Sequence, residues 1–347
     1  MNTHFIKPYQ GLCSPETAAR MVREGRVLIL AGAEEDLAAM PEGNWIGGTC
    51  GHFVTPQGGV PAGGEVFYAD FTGLAAHACW RSFSAANIHE LARHYPANGF
   101  AIIILPGCSQ LLGAVAGRIM EYDGLYNVPL MGWVSAVDIA ALPGLMPRVF
   151  AGGPQPRDDR AAVLYVTLPE QYFAQLNIAN LFSPGTGPEI RFLDPGQRIA
   201  GDSMIGGVPD NLARYRAARG IDPRLPLVAD HEGALLNVAI VSADTVSGEM
   251  LFLSPVSTSL TYRFAAEVLD YEAEFTRATA EVEAAQAAHT CICALHYEYA
   301  GLARAPEAAH DITAPVTFGQ IAYTVLNQTL ACLIIGRNED EPQEMAP

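Results

Sequence analysis

Cys108 and Ser109 hold the position from which a side chain could attack an electrophile, between an apolar run at 101–105 and a helical pattern at 109–122. A thiol at a helix start loses its proton readily and can act as a nucleophile. The esterase elbow Gly-x-Ser-x-Gly needs two glycines, and Gly107-Cys108-Ser109-Gln110-Leu111 has one. A thiol hydrolase or transferase using Cys108, with His77 or His52 as base, is one reading. Ser109 as a plain helix cap is the other.

Metal and cofactor chemistry finds weaker support. His89-Glu90-Leu91-Ala92-Arg93-His94 spaces its histidines one residue wider than the zinc-protease pattern, and at roughly 100° per residue they diverge by about 140°. Ile88, Leu91 and Tyr95 form an apolar stripe there instead. Cys291 and Cys293 share a face with Leu295 and Tyr297 if 290–299 is a strand, while His296 takes the opposite face, so all three read as sheet-core residues. His77-x-Cys79, His89 and His94 could each offer an axial ligand to haem, without a Cys-x-x-Cys-His attachment motif. Gly47-Gly48-Thr49 and Gly185-Thr186-Gly187 complete neither a dinucleotide fingerprint nor a Walker loop. They read as tight turns at strand ends, where backbone N–H groups can meet a ligand.

The elements that must position these residues are short. Ser14-Pro15-Glu16 starts a helix that Gly25 stops, 27–30 is a strand, 34–40 a helix, and Trp45-Ile46 leads into the glycine loop. The order strand, helix, strand recurs at 101–105, 109–122 and 128–134, with Leu112, Val115, Ile119 and Tyr122 on one helix face. From 161 onward short strands are expected at 163–166, 190–193, 235–241 and 250–253, with Ser247-Gly248 as a hairpin turn. One long helix is expected over 261–286, carrying Val268, Tyr271, Phe275 and Val282 on its apolar face. The apolar stretch 321–335 is a buried helix or strand pair, followed by an acidic, fraying end at 339–341. The class is α/β (α+β), two-lobed, with mixed β-sheets flanked by helices and lobes at 1–210 and 211–347.

Composition narrows the function. With 37 acidic and 20 basic residues the net charge is −17, and no Lys/Arg cluster offsets it, which argues against nucleic acid. Charged residues make up only 16% against 50% hydrophobic, so a sizeable core is expected. The most membrane-like stretch, 99–117, is broken by Pro106, Ser109 and Gln110, so no membrane span is expected. Seven scattered cysteines and a start unlike a signal peptide suit reduced thiols in the cytoplasm.

Several stretches together resemble the FIST sensory domain family, a bacterial module with N- and C-terminal parts. Trp45-Ile46-Gly47-Gly48-Thr49 is similar to its N-terminal strand and turn. Leu212 to Tyr215, Pro226-Leu227, Asn237-Val238-Ala239-Ile240 and Gly248-Glu249-Met250-Leu251-Phe252 follow the order of its C-terminal part. Phe318-Gly319-Gln320-Ile321 resembles its aromatic-Gly-Glu-Ile turn, and Leu326-Asn327-Gln328-Thr329-Leu330 its Leu-His-Asn-x-Thr motif. Gln320 and Leu326 depart from the usual acid and histidine. The resemblance implies a cytoplasmic sensory protein without a fused output domain, binding a small metabolite such as an amino acid and signalling through a separate partner protein. Some members of that family are haem-containing gas sensors, the alternative cofactor reading. The expected pocket residues are Gly48, Thr49, His52, Arg263, Asn327 and Thr329. Arg263 could grip a carboxylate or merely bridge to Glu267 along a helix. Asn327 and Thr329 either line a cleft or pin a sheet, since polar side chains in an apolar run need partners.

Overall fold

The computed structural model describes residues 5–142, 144–231, 233–282, 284–304 and 312–338. The acidic stretch at 339–341 lies outside them. The fold is α+β, with mixed sheets and short helices. Ser14 caps α1 (Pro15–Arg23) by accepting from the Thr17 N–H, and Gly25 leaves the helix at φ 77°.

Two sheets form the centre. The first runs Val149–Ala151, Trp45–Thr49, Leu28–Gly32, Val66–Asp70, Tyr9–Cys13, with strands 28–32 and 45–49 parallel. The second runs Thr324–Leu326, Gln320–Ala322, Leu130–Val134, Gly99–Leu105, Arg160–Thr167, His77–Ser84, with strands 99–105 and 130–134 parallel. A parallel pair needs a crossover, and these contain α2 (Glu34–Ala38) and α3 (Gln110–Ala116). All four parallel strands are buried throughout, which is why 28–32, 99–105 and 130–134 read as apolar runs, while 45–49 ends in two glycines and a threonine.

Ile29, Ile46 and Phe67 of the first sheet join Ile102, Ile104, Trp133 and Leu164 of the second in one buried cluster. Gly48 lies at a close approach of the two. A Cβ there would sit 2.8 Å from Ile104 Cγ2 and 2.9 Å from Trp133 Nε1. Gly47 and Gly48 are thus interior strand residues, correcting the expected turn: the missing side chains let the layers meet.

Beyond residue 190, strands Val208–Asn211, Asp202–Ile205, Ile190–Phe192, Tyr262–Phe264, Leu227–His231 and Ala234–Val238 form a six-stranded sheet, and α4 (Leu212–Ala218) packs its Leu212 and Ala213 into that core. Ile240–Ala243 and Met250–Val256 make a hairpin, with Gly248 in its turn at φ 85°. The last strands return to the start of the chain. Ala314–Thr317 pairs with His52–Thr55, Gln320–Ala322 with Leu130–Val134, and Thr329–Arg337 with Phe5–Ile6 and Tyr172–Asn180. Hydrogen-bonded strands therefore cross the expected division at 210/211 in several sheets. The 329–336 run is wholly buried and needs neighbours that the residues around it do not supply.

Two expected elements change type. The 261–286 helix resolves into strand Tyr262–Phe264 and α5 (Tyr271–Glu281), which Asp270 caps by accepting from the Ala273 N–H at 2.9 Å. Tyr262 and Phe264 are buried with Arg263 turned outward between them, an alternation that outweighs the longer helical spacing. The 290–299 strand becomes His289–Thr290, Ile292–Cys293 and then α6 (Ala294–Tyr299). The 109–122 helix stops at Gly117, leaving a separate 3-10 turn at Ile119–Glu121. Among the described residues no helix is long and apolar enough to cross a membrane.

Candidate functional site

In sheets with parallel strands, the carboxyl ends leave splayed loops and a natural crevice. Here strands 45–49, 99–105 and 130–134 end side by side. The Ser135 N–H donates to the Leu105 carbonyl and the Ala136 N–H to the Thr49 carbonyl, each at 2.8 Å. The chain then loops outward and returns at Arg148, whose N–H donates to Thr49 Oγ1 at 2.9 Å while its carbonyl accepts from the Thr49 N–H. Both ends of this loop are fixed on one threonine. Thr49 is buried and acts as a clamp for the loop.

Three clefts meet on that loop. The first, about 540 Å³, is lined by His52, Val137, Asp138, Ile139, Tyr297 and Arg304, among others. A second, about 410 Å³, shares Ile139 and adds Cys108, Met146 and Arg198. A third, about 280 Å³, shares His52 and Asp138 with the first and Met146 with the second, and reaches Glu34 and Glu35. Gly51 makes this arrangement possible: a Cβ there would lie 2.5 Å from the Asp138 nitrogen.

His52 opens strand His52–Thr55 half-buried, and its ring stacks on Tyr297 of α6, centroids 5.4 Å apart and planes 29° apart. Burial, and secondarily the Asp138 carboxylate, hold the Tyr297 phenol above its ordinary range. Asp138 accepts from the Ala140 N–H with one oxygen. The stacked imidazole and phenol thus form part of the cleft wall, and the Asp138 carboxylate belongs to the same lining. Such a site can hold a planar or aromatic small molecule by stacking and orient it with a few polar groups.

Cys108 stands at φ 54° on the strand-to-helix turn, a conformation rare for a non-glycine residue. Cys108 is exposed at the surface, yet partial desolvation of its thiol still raises the pKa, opposed more weakly by Arg198, which is ion-paired with Glu249. The Ser109 hydroxyl is already used, accepting from the Leu112 N–H and donating to the Pro106 carbonyl. Neither His52 nor His77 lines the Cys108 cleft.

The expected pocket residues do not converge. Thr49 and His52 reach the clefts, while Gly48 is packed between the sheets. Arg263 is no helix residue: its guanidinium donates to the Gly187 carbonyl and pairs with Glu189, correcting the bridge to Glu267. Asn327 is fully buried. Its Oδ1 accepts from Ser254 Oγ at 2.5 Å and from the Ala239 N–H at 3.3 Å, and its Nδ2 donates to the Phe318 carbonyl at 3.1 Å. Thr329 Oγ1 accepts from Asn237 Nδ2, which also donates to Asn180 Oδ1 at 2.7 Å. These amides pin the closing strand to its neighbours and line none of the three clefts.

Asp138 and Tyr297 are the residues that sequence reasoning missed. Tyr297 was hidden by the strand assigned to 290–299, and Asp138 sits in a loop without periodicity. His77 and His89 are exposed and His94 half-buried, and none lines these clefts. Among the described residues no group of three His, Cys, Asp or Glu side chains is placed to hold a metal ion.

The chain belongs to DUF6976, a family of unknown function. Its model matches residues 13–336, so the paired sheets apart from most of strand Tyr9–Cys13, the Thr49-clamped loop and the described lining of all three clefts lie within the DUF6976 region. Among curated proteins no sequence matches.

Proposed function

We propose that this DUF6976 protein is a small-ligand-binding sensory protein of FIST type, working in the cytoplasm and reporting to a separate partner protein. One observation carries the reading. The stacked His52–Tyr297 pair and Asp138 face a cleft of about 540 Å³ at the carboxyl ends of parallel strands, on a loop clamped at both ends by Thr49. The ligand is a small metabolite with a planar part; Arg304, at the rim, suits the carboxylate of an amino acid. Native mass spectrometry of the purified chain, followed by release and identification of what it retains, is the test. A retained metabolite lost in Tyr297→Ala supports the reading. Retention unchanged in Tyr297→Ala and His52→Ala defeats it.

The strained Cys108 turn beside the second cleft favours a thiol hydrolase or transferase as second reading. That reading requires a base which the described residues lining the cleft do not supply, so binding is preferred. Turnover of an activated ester abolished in Cys108→Ala would reverse the preference.

A further inference from the structure

Arg216 lies in α4 with only 9% of its surface exposed, yet its guanidinium has no hydrogen bond or ion pair among the described residues. Arg26, Arg148, Arg224 and Arg277 are all more exposed, and each finds a carboxylate. The nearest acid is spoken for. Asp222 is gripped by Arg224 through a fork, Nη2 to Oδ2 at 2.7 Å and Nε to Oδ1 at 3.1 Å. In a chain with 37 acidic residues against 20 basic ones, a largely buried arginine whose guanidinium has no protein partner among the described residues is not explained by a shortage of partners.

Arg216 faces a fourth cleft, about 350 Å³, whose polar lining includes the hydroxyl residues Ser242, Thr245 and Tyr299 and whose remaining wall is mostly apolar, with Ile221, Pro223 and Ile240. Among the described residues its lining contains no carboxylate. Burial lowers the pKa of the guanidinium, and Tyr299 and Asp222 oppose that, but an arginine so placed remains a cation with its donors free. A fork of N–H donors beside hydroxyls and an apolar wall complements a planar oxyanion with a short hydrocarbon part.

We infer that this cleft is a binding site for a small monocarboxylate, with Arg216 as its anchor. One positive charge matches one negative charge, and the neighbouring Asp222 carboxylate disfavours a phosphate dianion. The site is separate from the cleft around His52: α6 sends Tyr297 into that one and Tyr299 into this one.

The test is thermal denaturation of the full chain with butyrate, acetate, inorganic phosphate or chloride, at constant ionic strength. Butyrate raises the wild-type melting temperature increasingly with concentration relative to chloride, because it binds the folded state. Arg216→Met melts higher than wild type in chloride, since a partly desolvated charge without a protein partner is gone, and does not respond to butyrate. Arg216→Lys keeps the charge without the fork and needs about tenfold more butyrate for the same rise; it carries the test if Arg216→Met does not fold. A wild-type response to butyrate no larger than to chloride, or an undiminished response in Arg216→Met and Arg216→Lys, overturns the site. Phosphate acting more strongly than either carboxylate overturns the monocarboxylate assignment.

Discussion

His289 and His296 should make this protein lose stability between about pH 6.5 and pH 5, before the carboxylates titrate. Both are fully buried. His289 stands among rings, 5.2 Å from Trp133 and 6.3 Å from Phe67, with neither nitrogen hydrogen-bonded among the described residues. His296 Nδ1 meets the Tyr271 hydroxyl at 2.9 Å, while its Nε2 has no hydrogen-bond partner among the described residues. Burial pushes each pKa down from 6.5 to about 3. The folded state therefore keeps both imidazoles neutral while the unfolded chain takes up protons as the pH drops below 6.5. The stability is present in full above that value and is lost progressively as the pH falls toward 3. Each histidine contributes a slope of ~1.4 kcal/mol per pH unit, so the pair gives about 2.7, or roughly 3.5 kcal/mol by pH 5.2.

Urea unfolding at intervals between about pH 7.5 and pH 5.2 measures the slope. His289→Phe breaks no hydrogen bond, so its stability at pH 7.5 should stay within about 1.5 kcal/mol of wild type, and its acid slope should fall by half. An unchanged slope in His289→Phe would refute the reasoning. So would a loss above about 3 kcal/mol at pH 7.5, which would mean that the imidazole makes a polar contact the fold depends on.

Asn327→Ala strips partners from the Ala239 N–H, the Ser254 hydroxyl and the Phe318 carbonyl at once, and should cost about 3–5 kcal/mol in urea unfolding. Gly48→Ala should cost about 1–3 kcal/mol by forcing the central sheets apart, measured in the same way. Arg263→Ala removes an exposed ion pair with Glu189, so its stability should change by less than ~1 kcal/mol and retention of a bound metabolite should not change. Gly51→Ala should push the Asp138 loop away from His52 and reduce metabolite retention, with native mass spectrometry as the readout.

Three of the four parallel strands were legible because full burial leaves an apolar run, the fourth only at Trp45-Ile46, and α1 because a serine, a proline and an acid in order satisfy a helix start chemically. Two failures share one cause. In 261–286 and 290–299 a single periodicity was extended across a change of element, when Asp270 already marked a new helix and Ala294-Leu295 favoured one.

Asn327 and Thr329 teach something different. Two polar residues in an apolar run were rightly expected to need partners, and the partners are Ser254, Ala239 and Asn237, distant in sequence and brought near by the returning strand. A polar residue inside a run is satisfied by the fold, so it reports on structure. A polar residue just past the end of a parallel strand stands outside the sheet, where its side chain can reach a cleft. That applies to His52, three residues beyond strand 45–49, and to Asp138, four beyond strand 130–134. The position of a residue relative to strand ends, more than its chemical type, separates the clefts' residues from the pins, and a single sequence reveals it only where the strand itself is read correctly.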